Sequence, residues 1–460
     1  MRDTATAGAA AGAPAVGAAA VGAAGTGAPA GTGTASAGAA RSAARPVAAS
    51  AAGGAGDPVG WGDFDPFDPT LTAGPWARLH ALRAAAPVLR SSRGFWVLSR
   101  YRDCHGVLRD PRFGHDVTGR DSWLEPGNDV STEYDGARLL LLAALDPPDH
   151  TRLRSLVNKA FTPRTVAALA PRIEAIVQRL LDDIDGGATA DLAAALARPL
   201  PLIVMGELLG LSTGDCSGFA ALAADFLAGL GHDAGRSPEL VVRRRQANVD
   251  FVARFAGIVA ERRGRPGDDL VSALIAAHEQ SRRLTEDEIF GLCAFLFVAG
   301  VETSRGLIGN AVLALLRNPD QLARYRAEPE IRDAAIEELL RHDSPSPVTV
   351  RAALTDVELG GRTIRRGDLV VLLLGAANRD PAMFADPDRL DLTRPNSAAH
   401  LSFSAGIHFC LGAGLARLEA RIALTAVFER FPEMRLAGQV RHDRSPMHRI
   451  LATLPVSLHD

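Results

Sequence analysis

The segment that decides the fold reads Phe403-Ser-Ala-Gly406-Ile-His408-Phe-Cys410-Leu-Gly412. The next residues, 411–428, are rich in Ala, Leu, Arg and Glu with apolar residues on one face, which predicts a helix that begins at Cys410. At a helix N-terminus the dipole and the free backbone N–H groups favour a thiolate over a thiol. Gly406 and Gly412 let the backbone approach closely, and Phe403 can shield the sulfur from water.

This spacing resembles the haem-binding loop of the cytochrome P450 family, Phe-x-x-Gly-x-His/Arg-x-Cys-x-Gly, and every fixed position is filled. The resemblance implies heme b (iron protoporphyrin IX) with Cys410 as the metal ligand. Its loop contacts would be Phe403, Gly406, His408 and Gly412. The alternative is a small buried cysteine beside a helix start, the usual place of a free cysteine. The loop has one departure from the family pattern, because Ser404 stands where many members carry a second glycine.

Length and charge limit the possible functions. The chain has 460 residues, enough for two or three average domains or for one large domain that encloses a cofactor. A formal net charge of -3 gives no basic footprint, so we expect no nucleic-acid partner. The four cysteines are far apart and lack the C-x-x-C pairing of zinc and iron-sulfur sites, which indicates a reduced, cytoplasmic compartment.

The chain divides into two regions of different composition. Residues 1–56 are an Ala/Gly-rich tract without a compact apolar stretch, so they match neither a signal peptide nor a membrane anchor. They predict a disordered tail, and the alternative is an extension from a misplaced start codon. From Arg100 to Glu330 the periodicity is helical, and strand patterns return after Pro347 with a hairpin turn at 360–361. Residues 57–460 are therefore predicted to be mainly α with a minor β portion. The resemblance implies a single large triangular domain around a buried haem.

One helix is predicted to cross the whole domain. Thr285 and Glu288 form a capping box at its start, and no proline interrupts the sequence before Arg317. At 1.5 Å per residue the helix is roughly 45 Å long. Its middle, 289–301, is apolar on all sides, which is typical of a helix buried in a core. A membrane span is the competing interpretation, but the apolar run is too short to cross a bilayer.

Within this helix the sequence reads Ala299-Gly300-Val301-Glu302-Thr303, an acid and an alcohol after small residues. The segment resembles the oxygen-binding groove of the same family. The resemblance implies that Thr303 bonds back to the carbonyl of Ala299, that Gly300 thins the helix, and that Glu302 relays protons while Thr303 donates to dioxygen. The alternative is a salt-bridged glutamate beside an ordinary helical threonine.

Several cations are predicted to bind carboxylates. His150 and Arg154 lie four residues apart on one face of a predicted helix. The resemblance implies that they bind the haem propionates together with His408 and Arg351. The alternative is a solvated basic face.

Two further sets of residues follow from the resemblance alone. The pocket above the haem, which selects the substrate, would include Val301, Pro347 and Val348. The pair Glu338 and Arg341, three residues apart, matches the family's Glu-x-x-Arg motif.

A second arginine is expected to complete this buried ion network. We assign that role to Arg389, although Arg379 is also available. Such a network fixes the fold without adding much net stability.

The resemblance implies a haem-thiolate monooxygenase that inserts one atom of O2 into an apolar small molecule. We expect a tailoring hydroxylase or epoxidase of secondary metabolism, acting on a polyketide, macrolide or terpenoid. The sequence shows no dinucleotide fingerprint or cysteine cluster, so electrons from NAD(P)H are expected through a ferredoxin and a ferredoxin reductase. We expect a monomer without membrane contact.

Two alternatives stay open. One is a peroxide-driven or non-oxygenase haem-thiolate enzyme, for example in oxidative ring coupling. The other is a haem protein that binds a partner or ligand without turnover.

Overall fold

The computed structural model describes residues 60–68, 71, 74–115, 132–134, 137–139, 142–184, 186–228, 238–281, 284–443, 445 and 447–459. The tail predicted at residues 1–56 lies outside the described residues, so its disorder stays a prediction. Helices account for most of the described chain, as the periodicity predicted. They are α1 (Trp76–Ala85), α2 (Tyr101–Arg109), α3 (Asp149–Val157), α4 (Pro163–Ala168), α5 (Ala170–Asp182), α6 (Pro199–Leu208), α7 (Thr213–Ala228), α8 (Pro238–Gly264), α9 (Leu270–Ser281), α10 (Glu286–Arg317), α11 (Pro319–Ala327), α12 (Arg332–His342), α13 (Leu374–Ala377) and α14 (Ala413–Arg430).

The strands form a minor β portion, as expected. They are β1 (Val88–Arg90), β2 (Trp96–Leu98), β3 (Phe113–Gly114), β4 (Thr132–Tyr134), β5 (Ala137–Leu139), β6 (Thr189–Asp191), β7 (Val348–Ala353), β8 (Val357–Leu359), β9 (Arg362–Ile364), β10 (Leu369–Leu373), β11 (Arg435–Leu436), β12 (Arg441–His442), β13 (Leu451–Thr453) and β14 (Pro455–Ser457). The largest sheet has the order β1-β2-β10-β7-β3, in which β2 and β10 are parallel. Its central strand β10 is buried at every position, which explains its uninterrupted apolar sequence.

The hairpin between β8 and β9 turns at Gly360 and Gly361. Both residues have positive φ, 60° and 73°, a conformation that glycine adopts without steric cost. The structure therefore confirms the hairpin turn that was predicted at the glycine pair.

Helix α10 lies at the centre of the helical core. Its capping box has the predicted form: the Glu288 backbone N–H donates to Thr285 Oγ1 at 3.2 Å, and the Thr285 N–H donates to Glu288 Oε2 at 2.8 Å. The helix packs against α6, α8, α12 and α14, and most of its side chains are buried among them. By length and composition α10 is apolar enough to span a membrane, but 72% of its most apolar window is buried inside the protein. It is therefore the core helix of the fold.

A buried ion network holds α12 to the segment that precedes residues 403–412 (the cysteine loop). Arg341 donates through Nε and Nη2 to both oxygens of Glu338, at 2.7 and 2.8 Å, and both side chains are fully buried. The second arginine is Arg394, whose Nε lies 3.1 Å from each Glu338 oxygen. The assignment of this role to Arg389 is wrong, because its side chain is exposed and only its backbone carbonyl joins the network, accepting from Arg341 and Arg394.

The other candidate, Arg379, also lies outside this network. It pairs with Asp388 at 2.7 Å, and its guanidinium lies 3.8 Å from the ring centre of Trp76.

Candidate functional site

A cavity of about 300 Å³ lies between α10 and the cysteine loop. Its walls come from three parts of the sequence that were predicted to work together. The cysteine loop and α14 form one wall with Phe403, Cys410, Gly412 and Leu415. The groove of α10 forms the second wall with Ala299, Gly300 and Thr303. Arginine and histidine side chains line one end of the cavity, and they are His115, His150, Arg154, Arg351 and His408. The cavity thus has the form of an apolar slot with a cationic end.

Backbone geometry fixes the position of Cys410. Its N–H donates to the carbonyl of Phe403 at 2.8 Å, which closes the loop on itself. The Phe403 ring is buried, and the guanidinium of Arg417 lies 4.6 Å from its centre. Helix α14 has Gly412 at its N-cap, so the thiol precedes the helix by two residues. The sulfur is therefore presented to the cavity by a closed turn at a helix N-terminus.

Two residues of this loop have left-handed backbone conformations. Gly406 has φ 70°, and a Cβ there would lie 2.4 Å from the carbonyl oxygen of Leu108, so only glycine fits. Ser404 has φ 62°, the conformation that a glycine adopts at no steric cost, and its buried Oγ has no hydrogen-bond partner among the described residues. Ser404 therefore keeps the turn of the family pattern at the cost of local strain. At Gly412 the backbone is ordinary, and a Cβ would meet no protein atom within 4 Å.

The protonation of Cys410 differs from the expectation for a helix terminus. Burial raises the pKa of the thiol, and a hydrogen bond from the Gly412 backbone and the charges of Arg154 and Arg417 only partly oppose this rise. In the polypeptide alone the thiol is favoured, so the predicted thiolate preference is wrong for the protein without a bound cation. A metal would change this balance, because a ligating sulfur must be deprotonated.

The groove wall of the cavity is built by one turn of α10. The Thr303 hydroxyl donates to the carbonyl of Ala299 at 2.5 Å, the back-bond expected from the sequence. Met205 of α6 packs over Gly300, where a Cβ would lie 2.7 Å from its sulfur. Ala299, Gly300 and Thr303 line the cavity, whereas Glu302 does not. The carboxylate of Glu302 instead accepts a hydrogen bond from Arg305 at 3.0 Å.

The cationic end of the cavity brings together residues from distant parts of the chain. The ring of His408 lies 4.2 Å from that of His150 and 4.7 Å from that of His115, measured between centroids. Arg154 donates to the carbonyl of Phe409 in the cysteine loop. The four arginine and histidine residues named from the sequence therefore face one space, and His115 joins them.

These groups have few acceptors of their own. Both ring nitrogens of His150 and the Nε2 atoms of His115 and His408 are buried without a hydrogen-bond partner among the described residues. In that same part of the chain Arg351 donates to a backbone carbonyl and a hydroxyl but forms no ion pair. Burial lowers the pKa of Arg351 to about 10 and that of His408 to about 3. An anion at this end would accept hydrogen bonds from these side chains, so the carboxylate groups of a haem fit this end of the cavity.

Three residues predicted to contact substrate do not line this cavity. Val301 points into the helical core, because it lies on a different face of α10 from Gly300 and Thr303. Pro347 and Val348 border a separate small pocket beside Trp76. Their neighbours Pro345, Ser346 and Thr349 line the main cavity instead.

Two residues of the site were missed from the sequence. His115 follows β3 and belongs to no motif, so only the sheet that places it beside Arg351 reveals it. Glu419 of α14 is buried at 1% exposure, and its Oε2 has no hydrogen-bond partner among the described residues. Burial raises its pKa to about 8, so it is a neutral acid at pH 7. A glutamate in a helix of Ala, Leu, Arg and Glu gives no sequence signal of burial.

Comparisons with known proteins agree on one family. The family model described as Cytochrome P450 matches residues 243–455. Cytochrome P450 107B1 of Saccharopolyspora erythraea is 42% identical over 368 residues, which cover 78% of this chain and 88% of the relative. The 6-deoxyerythronolide B hydroxylase of the same organism is 38% identical, covering 83% and 96%. The solved structure of the Bacillus subtilis bacillaene polyketide synthase cytochrome P450 PksS superposes with a TM-score of 0.77 and 36% identity, covering 86% of this chain and all of that one.

Proposed function

The chain belongs to the cytochrome P450 family, and from this premise we propose that it is a haem-thiolate monooxygenase whose haem occupies the cavity between α10 and the cysteine loop. The observation that carries the proposal is the position of Cys410. Its half-buried thiol borders the same cavity as the Thr303 turn and the arginine and histidine side chains at one end. Cys410 is the thiol that lines this cavity in the described part of the chain, since Cys104, Cys216 and Cys293 are buried elsewhere.

The polypeptide would hold heme b at both faces and at one edge. Cys410 supplies the metal ligand, while Phe403, Gly406 and Gly412 shape the loop around it. His150, Arg154, Arg351, His408 and the additional His115 would bind the propionates. When bound, a haem with a thiolate ligand supplies the activation of O2 that inserts one oxygen atom into a carbon substrate.

Residues of the α10 groove would handle the protons of this reaction. Thr303 already places its hydroxyl in the cavity, where Ala299 holds it through the 2.5 Å back-bond. Ala299 and Gly300 line the cavity beside this hydroxyl. Glu302, one residue away, would receive protons from solvent and pass them to the Thr303 hydroxyl.

We further propose an apolar substrate of secondary metabolism. One relative is named a hydroxylase of 6-deoxyerythronolide B, and another belongs to a polyketide synthase system. The apolar wall around Phe295, Leu296 and Leu307 favours such a ligand through burial of nonpolar surface. A polyketide or macrolactone is therefore the first class to test, and terpenoids are the second.

Electrons must reach the cavity from another protein. The sequence contains no dinucleotide or flavin fingerprint, so we propose NAD(P)H, a ferredoxin reductase and a ferredoxin as the supply. We propose a cytoplasmic monomer, in keeping with the four free cysteines.

The test combines a reconstituted system with two variants. A surrogate ferredoxin and reductase, NADPH and a panel of macrolactones are added, and product, NADPH use and hydrogen peroxide are measured. Thr303→Ala is expected to keep NADPH oxidation while product falls and peroxide rises, because the proton donor is lost. Thr303→Ser retains the hydroxyl and is expected to recover most of the coupling. Unchanged coupling in Thr303→Ala would remove Thr303 from the mechanism, and product formed only with added peroxide would favour a peroxide-driven enzyme.

A further inference from the structure

Helix α6 places a methionine sulfur against the groove of α10. Met205 is 2% exposed to solvent, and it lines the cavity together with Gly300 and Thr303. A Cβ built on Gly300 would lie 2.7 Å from the Met205 sulfur and 2.9 and 3.3 Å from its Cγ and Cε carbons. The whole thioether group therefore packs along the turn of α10 that carries Thr303.

The other methionines of the described residues lie elsewhere. Met434 is 5% exposed and packs in the helical core without lining the cavity. Met383 is half-buried and lines a separate cleft next to α1, and Met447 packs against apolar residues of the largest sheet. In this part of the chain Met205 is thus the methionine that is shielded from bulk solvent and yet borders the cavity proposed for oxygen chemistry.

A thioether in this position is open to one oxidation reaction. Methionine sulfur is soft and polarisable, and oxidants convert it to a sulfoxide. The sulfur lone pair attacks one oxygen of hydrogen peroxide, so an S–O bond forms and the O–O bond breaks. Sulfur is oxidised by two electrons, and the departing hydroxide takes the proton of the new S–OH group and leaves as water. The oxidant is the hydrogen peroxide that a monooxygenase releases in this cavity when NADPH oxidation is not coupled to product.

The packing around the sulfur determines where the added oxygen goes. Because a carbon on Gly300 would already clash with the sulfur, the space between Met205 and α10 cannot hold another atom. The sulfoxide oxygen has to project into the cavity, where it brings a polar group to the wall that holds Thr303. The reaction also replaces a flexible apolar side chain by a polar one in a packed contact between two helices. Both changes alter the groove in which oxygen chemistry is proposed.

We propose that Met205 is the site at which the protein is oxidised by its own hydrogen peroxide, and that the resulting sulfoxide inactivates the groove of α10. The inference rests on the proposed function, because that function supplies the peroxide. One peroxide molecule is consumed for each sulfoxide formed. Uncoupled turnover therefore limits the lifetime of the enzyme through a single side chain.

The experiment is peptide mass spectrometry of the holoenzyme after uncoupled turnover. Haem content and the carbonyl spectrum are recorded first. The holoenzyme is then incubated with a surrogate ferredoxin and reductase, NADPH and O2, without organic substrate, and catalase in the solution destroys any peroxide that leaves the cavity. The fraction of each methionine-containing peptide that carries one added oxygen is measured, and a sample without NADPH gives the background.

Met205 is expected to be oxidised severalfold more than Met383, although Met383 is the more exposed of the two. Met434 is the matched buried control, and it is expected to stay at background. Thr303→Ala, which is expected to release more peroxide, should raise the oxidation of Met205 further. Oxidation that is greatest at Met383, or that is equal at Met205 and Met434, would overturn the proposal.

Met205→Leu removes the sulfur and keeps a side chain of similar volume. Relative to its own initial rate, this variant is expected to continue NADPH oxidation severalfold longer than wild type, whereas Met434→Leu should lose activity as wild type does. Equal lifetimes of wild type and Met205→Leu would overturn the inactivating role. If Met205→Leu does not bind haem, the peptide measurement on wild type still decides whether Met205 is the oxidised residue.

The outcomes separate this inference from the proposed function. NADPH oxidation and hydrogen peroxide are also measured in a sample without catalase. Peroxide formation with unmodified Met205 would overturn the inference alone. A haem-loaded protein that neither oxidises NADPH nor forms peroxide would overturn the proposed function and, with it, this inference.

Discussion

A few residues of the cysteine loop are enough to determine the backbone conformation around Cys410. The glycine at position 406 predicted a close backbone approach, and the 2.8 Å bond from the Cys410 N–H to the Phe403 carbonyl closes the loop. The positive φ of Gly406 explains why this position needs glycine. What the sequence could not predict is the response of the chain to Ser404, because propensity alone does not say whether a serine accepts a left-handed conformation or the turn changes.

We predict that Ser404→Gly stabilises the protein by about 1 kcal/mol, because an L-residue at φ 62° pays a steric cost that glycine does not. The measurement is the free energy of unfolding in urea for the holoprotein. Ser404→Ala is the control: it removes the unpartnered hydroxyl but keeps Cβ, so it should gain less than glycine does. A glycine variant less stable than wild type would contradict the proposed strain.

For helices and loops, the sequence predicted which contacts form, but it did not always predict the residues that form them. The capping box and length of α10 follow from local sequence, so they could be predicted. The second arginine of the Glu338 network could not, because the loop after α13 brings several arginines within reach and only its fold selects Arg394. Arg389, five residues earlier, contributes a carbonyl instead of a side chain.

We predict that Arg394→Ala destabilises the protein by about 3–5 kcal/mol, because it removes one of the two cations that neutralise the fully buried Glu338. Arg389→Ala is the matched control, and its exposed side chain should cost less than about 0.5 kcal/mol. Both values come from chemical denaturation followed by circular dichroism. Comparable losses in the two variants would show that the network does not depend on Arg394.

At the scale of the whole molecule, the mainly α fold with a minor β portion could be predicted, because periodicity and turn residues are local signals. Contacts made by single polar residues across the core could not. Glu419 is an example, since its burial between α14 and α10 depends on the packing of two helices that are distant in the sequence. His115 is another, because a short strand pairing brings it to Arg351.

Buried Glu419 predicts a pH dependence of global stability. Burial raises its pKa from the ordinary 4.5 to about 8, so the stability it contributes is complete below about pH 4.5 and is lost as the pH rises toward 8. We expect Glu419→Gln, which stays neutral, to be more stable than wild type by about 4 kcal/mol at pH 8 but not at pH 4.5. Denaturation at the two pH values measures the difference. A gain that is the same at both would show that ionisation of Glu419 is not the cause.

The proposed function depends on the Cys410 sulfur binding the haem iron as a thiolate. The absorption spectrum of the reduced carbonyl complex of purified protein tests this ligation, in wild type and in Cys410→His. We expect the strongly red-shifted Soret band of thiolate ligation in wild type and its complete loss in Cys410→His, with haem still bound through the remaining contacts. Persistence of the red-shifted band in Cys410→His, or its absence from haem-loaded wild type, would show that Cys410 does not bind the iron as a thiolate.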